Sequence, residues 1–168
     1  MDGEYEPTDG CISGLRLTSA EMFALCLARL WTLARECPAA DAMLCSGFVR
    51  GEIDPASVEE FESLLLILSA ASRPLRIADL HAGFVTDDEI ALLSLIASAQ
   101  HGDLDATLAA LRRWLPPAGV RIAVRATMRF ARSLLRRRLV LRPAVGILNG
   151  LPVETDRRDM TLACGVMH

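Results

Sequence analysis

The sequence predicts an all-α fold, a single-domain bundle of five or six helices, on three observations. Alanine and leucine, both strong helix formers, make up most of the 52% hydrophobic content, while aromatic residues reach only 5%. Helix-start signals recur ahead of segments whose apolar residues follow helical spacing. No two runs of alternating residues read as a strand pair.

Residues 1–17 carry Gly3, Pro7, Gly10 and Gly14 and read as a flexible acidic arm. The helical domain is expected over 18–142. Thr18 and Glu21 form a capping box that opens a helix through Phe23, Leu27, Leu30, Trp31 and Ala34 and closes before Pro38. A shorter helix is expected from Ala39 to about Val49, its end loosened by Gly47 and Gly51. Asp54-Pro55 is an N-cap followed by proline at the first helical position, and the Leu64–Leu68 run behind it implies burial on more than one side. Residues 73–85 fit either a short helix around Leu75–His81 or an extended connection. Thr86 and Glu89 form a second capping box for a helix through Ile90, Leu93, Ile96 and Ala97 that stops at Gly102. Asp103 caps a helix over Leu104–Leu115, ended by Pro116-Pro117, and the last long helix runs from near Gly119 to about Leu141. Residues 143–168 show weak periodicity and read as an irregular C-terminal tail.

Charge is distributed unevenly. The chain has no lysine, so its 18 basic residues are all arginines, set against 21 acids. Residues 1–105 hold six arginines and 18 acids, a balance of −12, whereas 106–153 hold ten arginines and no acid, +10. The last fifteen residues add −1, giving the net −3. Such asymmetry points to a charged partner or to internal docking of one part on the other. The mean hydropathy of +0.31 is high, but uncharged runs such as Ser63–Ser72 reach only about ten residues, short of the roughly 20 a membrane span needs. The polar N-terminus lacks the pattern of a secretory signal, so a cytoplasmic location is expected, with the apolar surplus placed in a subunit interface. The cysteines at 11, 26, 37, 45 and 164 form no C-x-x-C pair and read as reduced, mostly buried thiols.

The arginines of the last helix are ordered. At about 100° per residue, Arg121, Arg125, Arg129, Arg132 and Arg136 share a stripe about 80° wide and about 22 Å long. Val124, Thr127, Phe130, Ala131, Leu134 and Leu135 lie opposite. The plainest reading is a face that is solvated or docked on the chain's own acids. An acidic protein partner or second subunit would suit the guanidinium fork. Phosphates of nucleic acid are a further possibility, against which stand the pI of 5.6 and the lack of interleaved aromatics; an anionic membrane surface is another.

Other chemistry finds little footing. A helix-turn-helix over Arg73–Ile96 would place Asp87, Asp88 and Glu89 against phosphates. Asp79, His81, Asp87, Asp88 and Glu89, or His101 with Asp103 and Asp105, lack spacing that puts metal ligands on one helical face. There is no G-x-S-x-G, Walker A or G-x-G-x-x-G motif. No catalytic residue, metal site or cofactor is therefore assigned. The expected function is a non-enzymatic regulatory or adaptor module acting by protein–protein association as a homodimer, with the arginine stripe as its partner-binding site. Alternatives are a nucleic-acid-associated regulator using the stripe, and a helical small-ligand binder or enzyme with a pocket near His81.

Overall fold

A computed structural model describes residues 11–143 together with Ile147. These residues form an all-α bundle in the order β1 (Cys11–Ser13), α1 (Ser19–Ala34), α2 (Pro38–Arg50), α3 (Pro55–Ser69), β2 (Phe84–Thr86), α4 (Asp87–Gln100), α5 (Leu104–Leu111) and α6 (Pro117–Arg136). The expected arm therefore falls partly outside the described residues. From Cys11 it is tied down, because β1 pairs antiparallel with β2 and sets Ile12 opposite Val85. Between α3 and β2 the chain is extended, with a single turn near Leu80, so the short helix around Leu75–His81 does not form. Of the expected tail, only Pro143 and Ile147 are described, and Ile147 is buried.

The expected starts of α1, α3, α4 and α5 agree with the caps. Thr18 with Glu21 and Thr86 with Glu89 form complete capping boxes. Asp54 accepts from the Ser57 N–H, and Asp103 from the Ala106 N–H. Prolines occupy the first position of α2, α3 and α6, where their missing N–H is not needed. This is why α2 and α6 begin a little earlier than expected. α5 stops at Leu111, four residues short, and the turn that follows still buries Trp114 and Leu115.

α6 ends at Arg136 rather than near Leu141 for a local reason. Arg138 takes a left-handed conformation (φ 59°). Its N–H donates to Leu135 O, and that of Leu139 to Leu134 O. This is a Schellman closure with arginine where glycine is usual. α4 closes the same way at Gly102 (φ 73°), through Gly102 N–H to Ala99 O and Asp103 N–H to Ser98 O. Beyond α6, the Gln100 side chain clamps the outgoing strand of chain. Its amide donates to Leu139 O and its carbonyl accepts from the Leu141 N–H, which seats Leu141 in the core.

α4 is the central helix, buried along Ile90, Leu92, Leu93, Leu95, Ile96, Ala97 and Ala99, as a helix apolar on most faces must be. It packs on α1, α5 and α6, while α2 lies on α1 and α3 on α6. Phe61 joins two of these layers, 5.4 Å from Phe48 in an edge-on contact and 4.7 Å from Phe130. Gly47 and Gly51 allow α2 to lie close to α1, since a Cβ there would strike Leu27 or Phe23. In α3, Leu64, Leu65 and Leu68 are buried, but Leu66 is 53% exposed. Removing the left-handed strain at Arg138 with Arg138→Gly is expected to raise stability by about 0.5–1 kcal/mol, and Gly102→Ala to lower it by about 1 kcal/mol. Urea unfolding of the two variants measures both.

Candidate functional site

The chain's acids select particular arginines, and this selection defines what is left on the surface. Arg29 projects from α1 into the bundle and is 6% exposed. Its Nε and Nη2 donate to the two carboxylate oxygens of buried Glu89 at 2.8 and 3.0 Å. The remaining donors reach Ala82 O (3.1 Å) and Phe84 O (2.7 Å). Glu89 also accepts from the backbone N–H groups of Ala78 and Thr86. One ion pair thereby fixes α1, the 78–84 connection and the start of α4.

Asp88, equally buried, gathers Arg73 (3.1 Å), Arg76 (3.7 Å) and Arg113 (3.6 Å), and accepts from the Arg76 N–H. At the other end of α1, Glu21 is fully buried and accepts from Arg142 Nε (2.8 Å), Arg142 Nη2 (2.7 Å) and the Arg142 and Thr18 N–H groups. Burial pushes the Glu21 carboxyl up, but hydrogen bonds from the Arg142 guanidinium and those two N–H groups reverse this. Its pKa is held at about 2, below the ordinary 4.5. The side-chain bonds to Glu21 in turn push the Arg142 guanidinium up, against the effect of burial.

The five stripe arginines lie together on α6, all exposed. Among the described residues, Arg129 alone of the five is engaged by an acid, in an ion pair with Glu60 of α3. Arg121, Arg125, Arg132 and Arg136 make no ion pair among the described residues. Thr127, Phe130, Ala131 and Leu134 are buried on the opposite face as expected, whereas Leu135 is 43% exposed. Leu135 and Ile122, 66% exposed, edge the stripe with apolar surface. Arg129, Arg132 and Arg136 also line a cleft of about 250 Å³ against Asp54, Ala56, Ser57 and Glu60 at the start of α3. Asp54 is held below the usual carboxylate range there by hydrogen bonds from Ser57, with burial opposing and Ser133 adding a further bond.

Two other clefts flank α1. One of about 520 Å³ has Trp31, Arg35, Asp41, Leu44, Glu59, Glu62 and Leu66 among its walls, with the Arg35 guanidinium 5.1 Å from the Trp31 ring centre. Burial, then the nearby Asp41 and Glu59 charges, push the Glu62 carboxyl up. The second, about 340 Å³, is largely apolar and includes Ile12, Leu17, Cys26, Arg29 and His81. His81 itself is exposed, and the Arg29 donors are engaged as above.

Other sequence-level candidates separate. The helix-turn-helix outline has no first helix. Asp88 and Glu89 are tied to arginines, Asp103 is a cap, and His101 Nδ1 contacts Ala97 O at 2.8 Å. Among the described residues no group of three or more His, Cys, Asp or Glu is placed to hold a metal ion. The expectation of mostly buried cysteines is corrected. Cys26 and Cys37 are half-buried and Cys45 is exposed, because α2 turns that position outward; all three are free. No helix among the described residues is long and apolar enough to cross a membrane. No known family, curated protein or solved structure matches the chain.

From sequence Glu21 reads as a capping residue and Asp88 as a first-turn acid, neither as the buried partner of an arginine, and Arg29 carries no assignment. A signal existed for Arg29, which falls one turn after Leu25 on the apolar face of α1, but its partner lies 60 residues away. Arg29→Met would leave the Glu89 carboxylate buried without a counter-charge. It is expected to cost about 3–5 kcal/mol in denaturant unfolding. Because the Glu21 pKa is depressed on folding, its contribution is present above pH 4.5 and lost as pH falls from there towards about 2. The loss should be on the order of 3 kcal/mol, and Arg142→Met should abolish that part of the acid dependence.

Proposed function

We propose that this protein is a non-enzymatic, cytoplasmic α-helical adaptor or regulatory module that acts by protein–protein association, with the arginine face of α6 docking an acidic protein surface. The observation that carries the reading is that four of the five stripe arginines make no ion pair among the described residues, although the chain's own acids engage Arg29, Arg73, Arg76, Arg113, Arg137 and Arg142. The available guanidiniums stand on a rigid helix whose other side is core, so their spacing is set before any partner arrives. Arginine beside exposed Ile122 and Leu135 also supports a protein partner, since such interfaces combine arginine with apolar anchors. A phosphate backbone would need only the charge.

Fluorescence anisotropy with a labelled polyglutamate peptide and a labelled random-sequence duplex tests the proposal. The peptide is expected to bind at low salt and to weaken about tenfold or more in R125E/R132E. Tighter binding of the duplex, with a steep salt dependence, would replace this reading with the nucleic-acid one. Binding of neither would overturn both.

A further inference from the structure

We infer that the acidic surface accepted by the arginine face of α6 is that of a second copy of this chain, in a two-fold dimer whose axis runs parallel to α3. The inference rests on the function proposed above and names its partner. It comes from the way opposite charges flank one helix. On α3, Glu60 and Glu62 point about 160° apart. Glu60 turns towards α6 and meets Arg129, whereas Glu62 turns into the cleft it shares with Asp41 and Glu59, whose carboxylates outnumber its one guanidinium, that of Arg35 over Trp31. A basic strip and an acidic strip therefore run side by side along the same helix.

Between the strips lie Ala56, Ser63 and Ala70, all exposed. They are small and spaced every seven residues, which leaves a shallow line along which a second helix can approach. A half-turn about an axis along that line carries the acidic strip of one protomer onto the basic strip of the other, and does so twice, as an isologous contact requires. A half-turn about the perpendicular axis in the same surface sets like charge on like charge and is rejected.

The level of each contact follows from the packing. Ser133 bonds Asp54 and Arg129 pairs with Glu60, so α3 and α6 run antiparallel. Continuing that register puts Glu62 near the level of Arg125 and Leu66 near that of Ile122. In the dimer Glu62 faces Arg125 of the second copy, and exposed Leu66 faces its exposed Ile122. Burial, and after it the neighbouring Asp41 and Glu59 charges, disfavour ionisation of Glu62, and the incoming guanidiniums offset the repulsion among the three carboxylates.

The test uses two charge-reversed forms of the full chain, R125E/R132E and E59R/E62R, with mass measured by light scattering at micromolar concentration. The wild type is expected to be a dimer at low salt, dissociating as salt rises to about 1 M and screening shortens to about 3 Å. Each variant alone should show half the wild-type mass, because both contacts in its homodimer become repulsive. An equimolar mixture should recover the dimer, because both contacts in the mixed pair are attractive again. That recovery also shows that neither variant failed by misfolding. A wild type that stays monomeric at low salt, variants that remain dimeric, or a mixture that does not associate would each overturn the inference. If the wild type is monomeric yet still captures polyglutamate through the arginine face, the partner named here is wrong and the proposed function stands. If capture is also absent, both fall.

Discussion

The bundle is organised around the first turn of α4. That turn places two carboxylates, Asp88 and Glu89, out of solvent at a helix end whose dipole favours negative charge. Four arginines from different parts of the chain converge on them. Arg29 brings α1, Arg73 and Arg76 bring the extended connection after α3, and Arg113 brings the turn between α5 and α6. Apolar packing around α4 supplies the driving force, but it is non-directional. The bidentate Arg29–Glu89 pair and its backbone bonds have one geometry, and they orient α1 and β2 against the central helix.

The same constraint determines the surface. Carboxylates buried at α4 and α1 must be matched by guanidiniums, and those that match them come from loops, turns and α1. Beside α6, the described acids Glu52, Asp54 and Glu60 meet Arg137, Ser133 and Arg129. Among the described residues the stripe meets an acid only at Arg129, through Glu60, and its other four arginines remain exposed. The acids of the α1–α3 cleft are held on the far flank of α3 by the Phe61 contacts that fix the rotation of that helix. Charge separation on the outside is thus a consequence of charge pairing on the inside, and it gives the molecule a surface whose two signs lie next to each other.

The helical class, most helix starts and the facing of α6 are legible in the order of residues alone. These depend on neighbours a few residues apart: a capping box spans three residues, a proline fixes its own φ, and a stripe of arginines opposite Phe130 and Leu134 can face only outwards once the apolar side is buried. Less was legible where an element ends or where a partner is distant. The left-handed turn at Arg138 falls at a residue type that gives no sign of it, and the β1–β2 pairing joins segments more than 70 residues apart. Cys45 reads as a small hydrophobe, yet the rotation of α2 leaves it exposed. Which arginines an acid engages among the described residues depends on how the helices pack. All 18 carry the same charge in the sequence, and the difference between Arg29 and Arg125 is the distance to a carboxylate, which is fixed only when the helices pack.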